Sequence, residues 1–253
     1  MSLAGSPTLL RLPPWARKGS PLAPSARPLR VLLREERLVT VCEEARCPNL
    51  SECFARGTAT FMLLGDRCTR RCGYCAVATG RPLPADPGEP ARVAEAAARL
   101  RLRYVVLTAV ARDDLSDGGA SQFAATVEAV RARLPEAQLE VLTPDFKGDR
   151  AALVTVLASR PDVFNHNVEM APRLFPSLRP QGDYARSLGL LRDARTVRPG
   201  QVTKSGLMLG LGETDAEVRQ VLADLRESGV GIVTLGQYLR PTRDHAPVAR
   251  YVP

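Results

Sequence analysis

Long apolar runs are missing from this 253-residue sequence. No run approaches the roughly 20 consecutive apolar residues that a helix needs to cross a bilayer, so we expect no membrane span. The residues on either side of Arg11 include no uninterrupted apolar core of the kind that a secretory signal requires. With 45% apolar and 25% charged residues, the chain is also too hydrophobic for wholesale disorder. The absence of a membrane span and of a secretory signal, together with this composition, predicts a folded, cytoplasmic protein.

Cysteine is absent everywhere except between Cys42 and Cys75, where all six cysteines lie. Disulfide scaffolds usually spread their cysteines over a small, core-poor chain, whereas this chain has ample apolar sequence and no export signal. Zinc takes four ligands, commonly as two CxxC pairs or with paired histidines. Only one CxxC occurs here, and His166 and His245 are the only histidines. The pattern disfavours disulfides and zinc and favours another metal site in a reducing compartment.

The net charge of +8 is concentrated in an N-terminal arm. Residues 1–34 contain six basic residues and no acid, whereas the other 219 residues contain 29 bases and 27 acids. A basic, Pro-rich arm is compatible with a transit peptide, a nucleic-acid arm or an extended segment lying on the body. Trp15 is its only aromatic residue, so the arm lacks interleaved rings for base stacking. We therefore do not expect nucleic acid as the partner.

The six cysteines form two triplets. The first triplet is Cys42-x4-Cys47-x5-Cys53, and the second triplet is Cys68-x3-Cys72-x2-Cys75. Thiolates at such short spacings can ligate three irons of a 4Fe-4S cluster. The remaining iron then has no protein ligand and can bind a substrate, as the open position of a catalytic zinc does. Three buried structural thiols are the plainer alternative for the second triplet, and its spacing disfavours it.

Alternating strand and helix patterns predict an α/β fold with a parallel sheet. Runs typical of strands occur at residues 60–64, 104–110, 138–143, 163–168, 202–209 and 231–239. Apolar stripes at helical spacing occur between them, at residues 93–100, 123–134 and 218–225. Thr214 and Glu217 form a capping box that starts the last of these helices. Repeats of this kind favour an incomplete (β/α)6, TIM-like barrel, with an open flavodoxin-like sheet as the alternative.

Functional side chains of such a barrel lie on loops after the carboxyl ends of its strands. The second triplet follows the first predicted strand, and Gly118 and Gly119 follow the next one. Two glycines before a helix either offer amide donors to a carboxylate or simply allow a tight turn. The fourth strand ends in the polar residues 165–169, where His166 is most simply a buried, hydrogen-bonded histidine. Lys204, in the fifth strand, points into the barrel or lies at its rim.

The second triplet, with Tyr74 inside it, resembles the signature of the radical S-adenosylmethionine (SAM) superfamily, and the wider pattern resembles lipoyl synthase. The matching segments run in family order and are residues 41–49, 112–115, 117–120, 143–146, 165–167, 203–208, 210–214 and 236–239. The region of Pro14 and Trp15 also resembles the family's N-terminal segment. We therefore expect the basic arm to be part of the enzyme and not a removable transit peptide.

The resemblance implies an N-terminal extension, residues 1–59, and a radical SAM barrel, residues 60–253. A 4Fe-4S cluster on the second triplet would cleave SAM to a 5′-deoxyadenosyl radical. That radical would remove hydrogen from C6 and C8 of a protein-bound octanoyl chain, whose unactivated C–H bonds resist acid–base chemistry. A second 4Fe-4S cluster on the first triplet would supply two sulfur atoms, making the product a lipoyl group.

The same resemblance assigns contacts and partners. Tyr74 would lie near the adenine of SAM, Gly118 and Gly119 near its methionyl group, and Asn167 and Glu169 near its ribose. The expected substrates are octanoylated lipoyl carrier domains or the glycine cleavage H protein. The expected electron donor is a protein such as ferredoxin or flavodoxin.

One departure from the family pattern concerns the C-terminus. Lipoyl synthases end in an Arg-Ser-Ser-Tyr motif, one serine of which ligates the auxiliary cluster, and this sequence has no such motif. We expect a shortened chain that cleaves SAM without completing lipoyl formation. Two other functions are carried as alternatives: a different radical SAM enzyme with an auxiliary cluster, and a nucleic-acid-binding iron–sulfur protein.

Overall fold

A computed structural model describes residues 11–16, 31, 33–36, 38–40, 44 and 60–253. Its strands are β1 (Val39–Thr40), β2 (Thr60–Leu63), β3 (Arg67–Cys68), β4 (Ala78–Thr79), β5 (Tyr104–Ala109), β6 (Gln138–Leu142), β7 (Val163–Asn165), β8 (Val202–Leu209) and β9 (Ile232–Gln237). Its bounded α-helices are α1 (Glu89–Arg99), α2 (Ala120–Arg133), α3 (Arg150–Ala158), α4 (Phe175–Leu178), α5 (Tyr184–Val197) and α6 (Asp215–Glu227). No helix in this described part of the chain is long and apolar enough to cross a membrane.

The main sheet confirms the barrel prediction. Strands β2, β5, β6, β7, β8 and β9 follow one another in chain order, and every neighbouring pair is parallel. Flavodoxin-like sheets reverse their strand order, so the alternative fold is excluded. Strand β1 adds antiparallel to the outer edge of β2. Within the described residues β2 and β9 do not pair, and the barrel is therefore incomplete.

The helices pack on the outer face of the sheet, as their apolar stripes predict. Val93 of α1 and Phe123 and Val127 of α2 are buried in one core cluster with the strands. The capping box that starts α6 is present in full: the Glu217 amide donates to Thr214 Oγ1 at 3.2 Å, and the Thr214 amide donates to Glu217 Oε2 at 2.8 Å. Local patterning therefore suffices to place these helices.

A buried polar cluster crosses β5, β6, β7 and β8. Glu140 is 2% exposed, and both of its carboxylate oxygens lie 2.9 Å from Lys204 Nζ. The Tyr104 hydroxyl donates to the same carboxylate at 2.6 Å, and Asn165 Nδ2 donates to it at 2.8 Å. Because a buried carboxylate needs such partners, Lys204 is directed inward and is not a rim residue.

The described part of the N-terminal extension contacts the body of the protein. Leu33 is 1% exposed and belongs to the main core cluster, and β1 completes the sheet edge. The Trp15 ring meets Tyr251 edge-on, with ring centroids 6.4 Å apart. The proposed boundary at residue 60 stays a prediction, and most of the basic arm lies outside the described residues.

Gly119→Ala is expected to lower the free energy of unfolding by about 1–3 kcal/mol. Gly119 precedes α2 with a φ of +91°, and an added Cβ would lie 2.3 Å from Cδ1 of the buried Leu64. Gly189→Ala is the matched control, because nothing lies within 4 Å of its Cβ position in α5. We expect the control to stabilise the protein by up to about 1 kcal/mol. Denaturant unfolding measures both, and equal effects would contradict the prediction.

Candidate active site

A pocket opens at the carboxyl edge of the parallel strands, next to the second cysteine triplet. Cys68, Cys72, Tyr74 and Cys75 form part of its wall. The ends of β5 and β6 supply a second group, Thr108, Ala109, Val110, Ala111, Leu142, Thr143 and Pro144. The loop after β7 supplies His166, Asn167 and Glu169, and Arg179 follows α4. The pocket thus lies where parallel α/β folds bind their ligands.

The second triplet is presented by a short ribbon and a turn. Cys68 ends β3 and pairs with Thr79 of β4, while the Cys75 amide donates to the Cys72 carbonyl at 3.1 Å. All three cysteines are half-buried free thiols. Burial raises the pKa of Cys72 and raises the pKa of Cys75 to about 11, with a further increase from repulsion among the three thiolates. An iron–sulfur cluster bound by these thiols would therefore displace protons, and its positive irons would reduce that repulsion.

The triplet is not arranged around a single ion. Among the described residues, no three His, Cys, Asp or Glu side chains converge closely enough to hold one metal ion. A cluster distributes its thiolates over separate iron atoms, so its ligands need not meet at one point. Three free thiols on one wall of a single pocket therefore fit a cluster better than a mononuclear site.

The pocket lining contains one carboxylate, Glu169, and two guanidinium groups, of which Arg70 forms ion pairs with Asp113 and Asp145 outside the pocket lining. Burial raises the pKa of Glu169, and the Arg179 charge opposes that shift. Arg179 is 7% exposed, and its Nη1 donates to the Asn167 carbonyl at 3.1 Å while its guanidinium carbon lies 5.6 Å from the Phe175 ring centroid. Glu169 has a φ of +71°, a conformation that residues other than glycine rarely adopt. The charges of Glu169 and Arg179 suit a zwitterionic ligand group, and no local sequence pattern marks Arg179.

A buried ion network anchors the loop that carries the triplet. Arg70, between Cys68 and Cys72, donates to both oxygens of Asp113 at 2.8 and 2.9 Å and to Asp145 at 2.6 Å. Asp145 is fully buried and also accepts from Arg186 Nε at 2.8 Å. Burial alone would raise the pKa of Asp145, but hydrogen bonding to Arg70 and its charge hold it well below the usual range. The network fixes the loop against the ends of β5 and β6.

Gly118 and Gly119 are not among the residues that line this pocket, and their place at the SAM methionyl group stays a prediction. The Gly118 amide donates to the Leu115 carbonyl at 3.1 Å, and the Gly119 amide donates to Asp117 Oδ1 at 2.8 Å. Both donors are therefore occupied by the turn that starts α2. Residues 108–111, at the end of β5, line the pocket. Cys42, Cys47 and Cys53 lie outside the described residues.

His166 is a buried, hydrogen-bonded histidine, as expected. Its Nδ1 lies 2.8 Å from the Thr143 carbonyl, which can only accept, so Nδ1 carries the proton. Its Nε2 lies 3.1 Å from Ser187 Oγ. Burial, with the nearby Arg179 charge, lowers the pKa of His166 to about 4. The neutral imidazole is thus the state that the folded protein holds.

Protonation of His166 is expected to make folding pH-dependent. Its pKa of about 4 lies below the ordinary 6.5, so its contribution is fully present above about pH 6.5 and is lost as pH falls toward 4. Between about pH 7.5 and pH 5 the native protein should lose about 2 kcal/mol more stability than His166→Gln. Denaturant unfolding at the two pH values measures the difference. Parallel pH profiles of the two proteins would contradict the prediction.

Comparison with known sequences shows the family to which the chain belongs. Residues 62–225 match the Radical SAM superfamily. The lipoyl synthase of Rubrobacter xylanophilus is 56% identical over 239 residues, which cover 94% of this chain and 74% of the relative. The lipoyl synthase of Methylococcus capsulatus is 59% identical over 245 residues, which cover 96% and 76%. The chain belongs to the lipoyl synthase family. Solved structures of radical SAM enzymes agree with the fold of this family.

The chain resembles methylornithine synthase with a TM-score of 0.61 and 16% identity, covering 89% of this chain and 67% of that one. It resembles the hydrogenase maturase HydG with a TM-score of 0.60 and 14% identity, covering 89% and 61%. At such identities these matches establish the fold alone.

Membership of the lipoyl synthase family identifies the chain as an enzyme of the radical SAM type. That type of enzyme implies SAM and a 4Fe-4S cluster as cofactors. Family membership also disfavours the two alternative functions.

Proposed function

We propose that this chain is a lipoyl synthase that inserts sulfur at C6 and C8 of an octanoyl group carried on a lysine of a lipoyl carrier domain. The observation that carries the proposal is the second triplet, which lies on the wall of a pocket in a chain of this family. When bound there, a 4Fe-4S cluster supplies the electron that cleaves SAM. Cys68, Cys72 and Cys75 are its proposed ligands.

The charged and aromatic residues of the pocket are proposed to orient SAM. Arg179 is placed to pair with the methionyl carboxylate, because a buried guanidinium binds a carboxylate through paired donors. Asn167 and Glu169 present an amide and a carboxylate that can bind the ribose hydroxyls. Tyr74 offers its ring to the adenine, and burial raises its pKa well above the usual range, so its hydroxyl stays neutral.

The apolar part of the pocket is proposed to protect the radical and to receive the acyl chain. Met62, Val77, Val110 and Leu142 line it next to the cysteines. None of these side chains offers an O–H or N–H group, and together they exclude water from the reacting carbons. An octanoyl chain is itself apolar, so its burial among these side chains is favourable by about 0.8 kcal/mol per methylene.

The first triplet is proposed to hold the auxiliary 4Fe-4S cluster that donates sulfur, within an extension formed by residues 1–59. This assignment follows from the family likeness and the spacing of Cys42, Cys47 and Cys53. We further propose the barrel, residues 60–253, as the radical-generating part. Octanoylated carrier domains or the glycine cleavage H protein are the proposed substrates, and ferredoxin or flavodoxin is the proposed electron donor.

The decisive experiment follows hydrogen from the substrate. Protein reconstituted without oxygen is mixed with SAM, a reductant and a carrier domain octanoylated with deuterium at C6 and C8. We expect deuterium in 5′-deoxyadenosine, whereas the same substrate labelled at C2 should give none. The mass of the carrier then distinguishes completed sulfur insertion, a gain of two sulfur atoms and a loss of two deuterium atoms, from hydrogen abstraction without sulfur insertion. Deoxyadenosine without deuterium from either substrate would contradict the proposal.

A further inference from the structure

A segment after β9 crosses the catalytic edge and holds the turn between Cys72 and Cys75. The Ala246 amide donates to the Gly73 carbonyl at 2.8 Å. The Tyr238 hydroxyl in turn donates to the Ala246 carbonyl at 2.9 Å. Ala246 and Val248 also pack in the apolar cluster that includes Tyr74. The segment therefore contacts the turn through its backbone and its side chains.

His245 makes the second hydrogen bond to this turn. Its Nε2 lies 3.0 Å from the carbonyl oxygen of Cys75, and its Nδ1 lies 2.8 Å from Thr242 Oγ1. A carbonyl only accepts, so Nε2 carries the proton. In the neutral ring Nδ1 must then accept, and the Thr242 hydroxyl donates to it. The structure thus assigns the Nε2–H tautomer to His245, the opposite of the Nδ1–H tautomer of His166.

These contacts constrain the backbone of the turn and do not involve its sulfur atoms. Within the turn, the Cys75 amide bonds to the Cys72 carbonyl at 3.1 Å. On its other side the Gly73 amide donates to the Leu178 carbonyl at 2.8 Å. His245 adds a hydrogen bond to the carbonyl of Cys75, whose side chain must point at the cluster. Without it, the last carbonyl of the turn would have no partner from the segment.

We propose that His245, held in one tautomer by Thr242, is a positioning residue that orients Cys75 and the turn for the cluster and for SAM. The proposal rests on the assignment of the second triplet as cluster ligands, which the proposed function includes. Substitution of a residue that orients a metal ligand typically changes metal affinity or activity by about 10–100-fold. The expected effect is therefore on cluster geometry and SAM binding, with folding largely unchanged.

The variants are made with Cys42, Cys47 and Cys53 replaced by alanine, so that only the second triplet can hold a cluster. We compare His245→Ala, His245→Gln and Thr242→Val, with Asp244→Ala as an exposed control on the same segment. The measurements are iron content, the electron paramagnetic resonance spectrum of the reduced protein with and without SAM, and the Kd for SAM. None of them uses an octanoylated substrate, so failure here is distinguishable from failure of the sulfur-insertion proposal.

His245→Ala is expected to shift the spectrum of the SAM-bound state and to weaken SAM binding at least about tenfold, while Asp244→Ala changes neither. His245→Gln should restore both, because its amide N–H reaches the same carbonyl. The spectrum and the Kd for SAM of Thr242→Val should lie between those of the parent protein and those of His245→Ala. The valine removes the hydroxyl that donates to Nδ1, so His245 can then adopt either tautomer. Spectra and Kd values of His245→Ala that match the control, or a glutamine variant no better than alanine, would overturn the proposal. If His245→Ala does not fold, Thr242→Val is compared with the control in its place.

Nitrogen NMR of the cluster-free full chain, labelled in histidine, tests the tautomer directly. Only two histidines contribute, so each ring can be assigned. We expect one Nδ1–H ring, removed by His166→Gln, and one Nε2–H ring, altered by Thr242→Val. An Nδ1–H ring at His245 would overturn the proposal whatever the cluster measurements show.

Discussion

Cys72→Ala is expected to reduce 5′-deoxyadenosine formation at least about a thousandfold, which corresponds to about 4 kcal/mol of activation free energy. Cys72 is the central thiol of the second triplet and lies on the pocket wall with Cys68 and Cys75. Removing one of three protein ligands leaves two irons of a cluster without a thiolate. Iron content and deoxyadenosine, both measured after anaerobic reconstitution, check the prediction.

Cys47→Ala is the matched control for this experiment, because Cys47 belongs to the first triplet. If the two triplets have separate roles, the control keeps the capacity to cleave SAM and loses only sulfur insertion. Equal loss of deoxyadenosine in both variants would mean that the triplets do not act separately. Normal SAM cleavage by Cys72→Ala would remove the second triplet from the proposed chemistry.

Asp145→Asn is expected to lower the free energy of unfolding by about 3–5 kcal/mol, the usual effect of removing one partner from a buried ion pair. Asp145 is fully buried and is bonded by Arg70 and Arg186. Asparagine keeps the size of the side chain but leaves two guanidinium groups without its charge. Denaturant unfolding measures the change.

The pH dependence of this effect has a definite sign. Because the pKa of Asp145 is held below its ordinary value, its stabilisation is present above about pH 4 and is lost only as pH falls further. The gap between the native protein and Asp145→Asn should therefore stay constant from neutral pH down to about pH 5. Glu95→Gln, which breaks an exposed pair with Arg133, should cost less than about 1 kcal/mol. Equal effects of the two substitutions would contradict the prediction.

Features set by neighbouring residues were predictable from the sequence. The six parallel strands, the stripes of α1 and α2 and the capping box at Thr214 each depend on residues a few positions apart, and the structure contains all of them. The spacing of the second triplet is equally local. Periodicity reports which face of an element is apolar, and six repeats leave few ways to bury those faces.

Features set by distant residues were not predictable. Arg70 meets Asp145 75 positions away, and His245 reaches Cys75 170 positions away. No local pattern marks such pairs, since their contact depends on the assembled barrel. Gly118 and Gly119 illustrate the same limit: their sequence allowed either amide donors for a ligand or only a tight turn, and hydrogen bonds within the turn occupy both donors.

The backbone at Glu169 links the site to the stability of the fold. A residue other than glycine with a φ of +71° is strained by an amount of order 1–3 kcal/mol. The loop nevertheless keeps this geometry, because the Glu169 amide and carbonyl bond to Gly206 and Met208 of β8 at 2.9 and 2.8 Å. Selection for thermal resistance alone should therefore replace Glu169 with glycine or asparagine. Glutamate would persist at position 169 only under selection that also demands catalytic turnover. In directed evolution, the residue found at position 169 should therefore distinguish selection for stability from selection for activity.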